Sequence, residues 1–326
     1  MVAGKLVFFH DRRMNQRLLP ADRTVSSVLV FTSPKAGSGI GQEQLPRLVE
    51  LLGARGLGVS VTSSLDELRQ RTQDIQLDQS DVPVVVAAGG DGTLSLIAEN
   101  IPQGMPIVPM PLGTENLLAR HFGYTPNADA VAESIVHGTG HWIDAASANA
   151  KLFLVMATCG FDAEVVRAMH LTRRGHIRRS DYAGPILRAL RRYQFPKIHV
   201  RIQGGNDPQP ESEALELDCC WAMAFNFPCY GGHLRVEPGA DGEDGLLDVI
   251  TFRKGSILSG LRYLAGIILG QHQRFGDVVR ARGTTIEFRS DKRVPYQLDG
   301  DYGGHLPLKI EVLPARVQLL LPPGTR

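Results

Sequence analysis

Cysteine is scarce in this chain of 326 residues. The four present, Cys159, Cys219, Cys220 and Cys229, include one adjacent pair and no C-x-x-C. That spacing excludes a disulfide framework and a thiolate zinc site, and predicts buried, reduced thiols in a cytosolic protein. Aromatic residues make up 6%, and the two tryptophans, Trp142 and Trp221, read as packing residues. No apolar run approaches the roughly 18–20 residues that cross a bilayer. The longest lie near Tyr263–Gly270 and Leu319–Pro323, so any membrane contact is expected to be peripheral. Net charge is almost absent: 35 Lys and Arg face 34 Asp and Glu, a formal +1. A chain that is basic all over and coats nucleic acid is thereby excluded, and no nucleic-acid module is seen. There is no internal repeat, low-complexity tract, H-E-x-x-H, G-x-x-x-x-G-K-[ST] or G-x-G-x-x-G. The first residues carry a short apolar patch and then charges, with no small-residue cleavage site, and read as a leading arm.

Glycine and hydrophobic residues are plentiful. At 43% hydrophobic the chain can bury a sizeable core, and its length predicts about two domains. The first half cycles through strand, glycine loop and helix. Val28–Phe31 runs into Ser33–Gly39, and a helical pattern follows at Leu45, Leu48, Val49, Leu51 and Leu52. Val82–Ala88 runs into Gly89-Gly90-Asp91-Gly92-Thr93 and a helix through Asn100. Ile107–Met110 runs into Pro111-Leu112-Gly113-Thr114 and a helix through Arg120. Such a cycle predicts a parallel sheet with helices on both faces and ligands at the carboxyl ends of its strands. From His141 the pattern becomes alternating runs suited to an antiparallel domain: Trp142–Ser147, Lys151–Thr158, Lys197–Gln203, Leu215–Asn226, Leu246–Phe252, Thr284–Ser290 and Leu308–Leu313. Helical segments interrupt it at Ala163–Tyr193 and Ser256–Gln271, and Gly204–Glu213 is a polar loop. The expected organisation is an arm over 1–25, an α/β nucleotide-binding domain over 26–140 and an antiparallel β-sandwich domain over 141–326. A cleft separates the two domains, and the last segment has room to pack back on the first.

The pentad Gly89–Thr93 is the strongest single signal. Glycines let backbone N–H groups approach phosphate, and a helix starting at Thr93 points its positive end there. A carboxylate among phosphates needs a divalent cation between them, so Asp91 points to Mg²⁺; as a helix N-cap it needs none. Gly37-Ser38-Gly39 and Gly113-Thr114 follow neighbouring strands, so seven of the 35 glycines cluster at three strand ends. A nucleotide there would be held by backbone amides and hydroxyls.

On these residues the chain resembles the diacylglycerol kinase catalytic family, in the superfamily shared with sphingosine and NAD kinases. The resemblance spans about 28–323. It is carried by Ser33-Pro34-Lys35-Ala36-Gly37, by Gly89–Thr93, and by Pro111-Leu112-Gly113-Thr114-Glu115-Asn116-Leu117-Leu118-Ala119-Arg120. Gly160-Phe161-Asp162-Ala163, Gly231-Gly232, Pro238–Val249 and Leu298-Asp299-Gly300-Asp301 complete it. The Pro238–Val249 run is similar to that of bacterial soluble lipid kinases.

The resemblance implies an ATP-dependent lipid kinase acting on diacylglycerol or a similar lipid alcohol. The alternatives are an NAD kinase and a non-catalytic nucleotide or lipid sensor. Asp299 matches the family's base, which takes the proton of the attacking hydroxyl. Ser33, Lys35, Gly37, Gly89, Gly90, Asp91, Gly92, Thr93, Gly113, Thr114 and Asn116 match the nucleotide-binding positions. Asp91 and Asp301 would act on the catalytic Mg²⁺, and Asp241, Asp244 and Leu246 on a second, structural one. Two positions depart from the family: Leu117 replaces an Asp and Asp301 a Glu. Glu115 is a candidate to supply the charge missing at Leu117, although two residues along a helix point about 200° apart.

A membrane-facing side is expected over 165–201, where ten Arg and Lys residues face the single acid Asp181 among apolar residues. The partners expected are therefore a lipid substrate, an anionic membrane surface and a second copy of the chain. The other helical segment, with Ile257, Leu258, Leu261, Leu264, Ile267, Ile268 and Leu269, reads as core or as the wall of an acyl pocket rather than as a membrane insert.

Overall fold

The structure is a computed structural model and describes residues 24–32, 39–75, 81–172, 184, 193–205, 214–231 and 234–325. The leading arm, Ser33, Lys35, Gly37, most of the basic segment and most of the 204–213 loop lie outside the described residues.

Four parallel strands, β1 (Ser27–Thr32), β2 (Gly58–Thr62), β3 (Val84–Gly89) and β4 (Pro106–Pro111), pair in the order β2-β1-β3-β4. Every residue of β3 and β4 is buried, as expected of strands covered on both faces. The helices of this half are α1 (Ile40–Ala54), α2 (Leu65–Thr72), α3 (Asp91–Asn100), α4 (Leu117–His121) and α5 (Ala128–His137). Helix α3 starts at Asp91, two residues before the Thr93 expected from sequence. Gly90 is its N-cap, and the Gly90 carbonyl accepts the N–H groups of Thr93 and Leu94 at 3.0 and 3.1 Å.

The second half contains β5 (Thr139–Ala148), β6 (Lys151–Phe153), β7 (Met156–Cys159), β8 (Ile198–Gln203), β9 (Leu215–Cys219) and β10 (Trp221–Phe225). Then follow β11 (Leu247–Phe252), β12 (Val278–Gly283), β13 (Thr285–Arg289), β14 (Pro295–Leu298), β15 (Asp301–His305) and β16 (Leu308–Leu321). Two helices, α6 (Phe161–Thr172) and α7 (Ile257–Ile268), accompany them. A six-stranded antiparallel sheet runs β12-β11-β10-β7-β14-β15. The other antiparallel strands continue the parallel sheet as β4-β16-β13-β8-β9, with β5 and β6 branching from β16. The final strand therefore joins both halves, pairing with β4 at Gln318 and Leu319. That ladder stops at Ile107 for a chemical reason. The Leu112 N–H points to β3, where it meets the Gly89 carbonyl at 2.9 Å. By alternation, Pro109 and Pro111 would have to donate to β16, and proline has no N–H.

Two runs that read as single strands are split. Lys151–Thr158 breaks at Leu154 and Val155, whose N–H groups leave the ladder for the Asp299 carboxylate. Leu215–Asn226 breaks at Cys220, so that β9 stays in the long sheet and β10 crosses to the six-stranded one. Between the two sheets lie Phe153, Val200, Ala222, Val249, Ile286, Phe288 and Ile310. Fully burying each of the larger side chains contributes roughly 1.5–3 kcal/mol. Asp144, buried beside them, pins the bulge of β16 by accepting the N–H groups of Ala315 and Gly245, each at 2.7 Å.

Candidate active site

The loops after β3 and β4 touch backbone to backbone. A Cβ added to Gly113 would lie 2.5 Å from the Gly90 Cα, closer than any carbon contact tolerates. Gly89 is held as tightly, with the Thr93 hydroxyl packed over its Cα. Asn116 takes a left-handed conformation (φ 50°) and clamps its own loop. Its Oδ1 accepts the Gly113 N–H at 2.9 Å, and its Nδ2 donates to the Gly113 carbonyl at 2.8 Å. Asn116 thus shapes the turn on which Gly113 and half-buried Thr114 sit. Gly89, Gly90, Gly92, Thr93, Gly113, Thr114 and Asn116 are brought together at the strand ends.

Asp91 belongs to the same knot in a different role from the one its sequence suggests. Its Oδ2 accepts the Leu117 N–H at 2.8 Å and its Oδ1 the Leu118 N–H at 3.0 Å. It caps α4 from the neighbouring loop. Burial raises its carboxyl to about 6, and the nearby Asp299 adds to the rise, against the pull of the two N–H groups. The Leu117 position, where the family has an Asp, lends Asp91 its backbone N–H, while its side chain packs on the core.

Asp299 and Gly300 form the two-residue tip of the β14–β15 hairpin, with φ of 49° and 87°. Asp-Gly suits that turn because both central residues take positive φ. The Asp299 carboxylate is saturated. Oδ1 accepts Val155 N–H (2.8 Å) and Met156 N–H (3.0 Å), and Oδ2 accepts Leu154 N–H (2.8 Å) and the Ser95 hydroxyl (2.6 Å). A carboxylate offers about four lone-pair sites, and these four bonds occupy them. Burial pushes the group up against these four bonds. In this structure Asp299 rivets the hairpin to α3 through Ser95. Sequence reasoning missed Ser95, because a serine within a helix carries no distinguishing pattern.

The rivet sets Asp301 over the phosphate loop. A Cβ on Gly92 would lie 2.6 Å from Asp301 Oδ2, and Asp301 is exposed. Mg²⁺ is commonly held by one or two carboxylates together with substrate phosphates. An exposed carboxylate beside the glycine loops has the chemistry of such a ligand.

The side chains expected at a second Mg²⁺ have protein partners in this structure. Arg282 hydrogen-bonds Asp244, and its Nε lies 3.1 Å from Asp248 Oδ1. The Leu246 N–H donates to Asp244 Oδ1 (3.0 Å), and Asp241 Oδ1 accepts the Glu243 N–H (3.2 Å). Among the described residues no three His, Cys, Asp or Glu converge as metal ligands. A built-in guanidinium supplies positive charge beside the Asp241, Asp244 and Leu246 set. Chelation with EDTA is expected to leave the melting temperature unchanged. Arg282→Ala leaves Asp248 buried without its cation, costs about 2 kcal/mol and lowers the melting temperature by roughly 4–8 °C. A chelator-sensitive melt would show that a metal is needed after all.

Behind the hairpin, Asp162 at the start of α6 is buried and accepts hydrogen bonds from Thr158 Oγ1, Trp221 Nε1 (2.7 Å) and Tyr230 Oη (3.3 Å). Trp221 is thus a polar anchor as well as a packing residue.

Comparison with known proteins agrees with this geometry. Residues 27–148 match the diacylglycerol kinase catalytic domain, and residues 155–321 match the YegS C-terminal NAD kinase beta sandwich-like domain. A diacylglycerol kinase of Mycobacterium tuberculosis is 28% identical over 309 residues, covering 91% of this chain and 96% of that protein. A Pseudomonas aeruginosa protein that carries the name YegS-like lipid kinase is 30% identical over 298 residues, covering 89% and 93%. In fold the chain is similar to the crystal structure of a diacylglycerol kinase from Bacillus anthracis, with a TM-score of 0.67, 22% identity, and 92% and 99% of the two chains covered. A catalytic-domain match over the glycine loops, and a sandwich-domain match over the hairpin that meets them, assign this chain to the diacylglycerol kinase and YegS-like kinase family.

Proposed function

We propose that this chain transfers the γ-phosphoryl group of ATP to the hydroxyl of a lipid alcohol of the diacylglycerol class. The observation that carries this reading is the stacked pair of glycine loops with the exposed carboxylate of Asp301 above Gly92. The backbone around Gly90 and Gly113 receives the phosphates. Asp301 would hold Mg²⁺ together with them, and the cation would draw negative charge off the transferring group. Asp299 fixes the hairpin and so the height of Asp301 above the loop. Transfer through a loose transition state depends on alignment and charge neutralisation, and the hydroxyl proton passes to an oxygen of the transferred phosphoryl group and from there to water. A saturated Asp299 is compatible with that chemistry. The relatives named as lipid kinases support the choice of acceptor.

The test is purified protein with labelled ATP and Mg²⁺ against diacylglycerol, monoacylglycerol, sphingosine, phosphatidylglycerol and NAD, with Asp301→Asn as control. Labelled phospholipid from the wild type and none from the variant is expected. Product from NAD alone would make the chain an NAD kinase, and no product from any acceptor would make it a binding protein.

A further inference from the structure

Helix α7 meets its reading as core on one face only. Its inner face is buried: Gly260, Tyr263, Gly266 and Ile267 pack inward. Tyr263 lies 4.8 Å from the ring of Phe252 and donates its hydroxyl to Asp277 (2.7 Å). The outer face is the unusual one. Leu258 is 78% exposed, Leu269 69% and Ile268 60%, with Ile257 and Leu261 close to half exposed. Positions 257, 258, 261, 268 and 269 share one side of a helix of 3.6 residues per turn. A surface helix ordinarily turns charge to water; this one turns a leucine and isoleucine stripe outward, and among the described residues nothing covers it.

The charges beside the stripe identify what it meets. Lys254 and Arg274 stand exposed just beyond its two ends. Arg262 lies on the helix itself, binding both oxygens of Asp277 while its guanidinium sits 4.1 Å from the ring of Phe275. Asp277 is the one acid between 253 and 277, and Arg262, Tyr263 and Lys254 already engage it. Arg253 instead lines a groove with Glu216 and Glu287. An apolar ridge with cations at its ends matches a bilayer whose headgroups are anionic, since side chains enter the acyl boundary while lysine and arginine remain among the headgroups. A second copy of the chain would bring the same cations face to face.

The orientation is also suitable. Rings run in contact from Phe161 at the start of α6 to Trp221 (5.7 Å), on to Phe252 (4.7 Å) and to Tyr263. Helices α6 and α7 therefore lie on one face of the six-stranded sheet. Helix α6 packs on β14 and β15, the hairpin that carries Asp299 and Asp301. A membrane seated on the stripe lies on the side of the sheet from which that hairpin is backed.

We propose that helix α7, through Ile257, Leu258, Leu261, Ile268 and Leu269 flanked by Lys254 and Arg274, docks this protein on an anionic lipid surface. The inference deepens the lipid-kinase reading by naming how the enzyme reaches a bilayer, and it rests on that reading only for its purpose, since docking requires no turnover.

The test is vesicle flotation with phosphatidylcholine alone and with phosphatidylcholine containing phosphatidylglycerol. Wild type is expected to float with the anionic vesicles, less so at high salt. Leu258→Asp/Ile268→Asp is expected to bind at least about tenfold more weakly, and Lys254→Glu about fivefold. The double variant should keep its melting temperature, because both side chains are exposed, and its turnover of short-chain diacylglycerol in detergent micelles. Unchanged flotation of the double variant, or no flotation of wild type, would overturn the docking face. A dimer dispersed by Leu258→Asp, or a fall in its melting temperature, would also overturn it, by showing that protein covers the stripe. The two readings fail separately. Vesicle binding without phosphorylation of any lipid removes the kinase reading alone, and micellar turnover without vesicle binding removes the docking face alone.

Discussion

Asp299→Asn is expected to cost the protein its stability and Asp301→Asn its chemistry. The carboxylate of Asp299 accepts from three backbone N–H groups and one hydroxyl. An asparagine keeps one oxygen and turns the other into a donor. If the amide nitrogen replaces Oδ1, it faces the N–H groups of Val155 and Met156; if it replaces Oδ2, it faces the N–H of Leu154 and the hydroxyl of Ser95. Either way at least one backbone donor is left without a partner and a charge-assisted bond is lost. At roughly 1–3 kcal/mol for each such loss, the total is about 3 kcal/mol, a fall in melting temperature of roughly 6–12 °C. Asp301 is exposed and rests its oxygen over Gly92. Its replacement by asparagine is expected to leave the melt within about 1 °C of wild type, because exposed substitutions cost little. The same change is expected to lower kcat by about 100-fold or more, as for loss of a group that stabilises transition-state charge. Thermal unfolding and the phosphoryl-transfer assay, run on both variants, separate the roles. An Asp299→Asn protein that melts like wild type and is inactive would restore Asp299 as the base.

The sequence made one side of this site legible and concealed the other. Continuous apolar runs ending in glycine clusters mark parallel strands and their ligand-facing ends, because strands buried on both faces lose their alternation and only glycine permits such close loops. Gly89, Gly90 and Gly113 are therefore readable, and the structure brings Gly90 and Gly113 into contact. The partners of the carboxylates are not readable. Asp91, Asp299 and Asp244 look like metal or proton ligands by type and spacing, yet they are satisfied by N–H groups of Leu117, Leu118 and Leu154–Met156 and by the guanidinium of Arg282. Backbone donors have no residue code, and Arg282 lies 38 residues from Asp244. Helix α7 misleads for a related reason. Its leucines and isoleucines span little more than half of the helix's circumference, and composition alone does not tell which part of so wide an apolar face is buried and which is presented outward.

Gly113→Ala and Gly92→Ala put the glycine loops themselves to the test, and their effects should differ in kind. At Gly113 the added carbon meets backbone: Gly90 Cα at 2.5 Å and Gly90 N at 3.1 Å, with Asn116 Oδ1 at 2.7 Å. Gly90 has little freedom, since its carbonyl starts α3, and the Leu112 N–H ties the following strand end to Gly89. Ordinary carbon contacts lie near 3.5–4.0 Å, so the loops must part by about an ångström. The two N–H bonds to Asp91 that span them must stretch with them. A displacement of that size is worth about 100-fold, and here it falls on the phosphate cradle, so Kd for ATP is expected to rise by about that factor. At Gly92 the added carbon meets only Asp301 Oδ2 at 2.6 Å, the far end of a side chain that turns aside by rotating about χ1. The cradle survives, and ATP affinity should stay within about threefold, because no backbone contact is disturbed. Asp301 is pushed from its place, however, so kcat should fall. Calorimetric titration with ATP and steady-state kinetics on the two variants give the split. If Gly113→Ala binds ATP as wild type does, the contact between the β3 and β4 loops is not where the nucleotide rests.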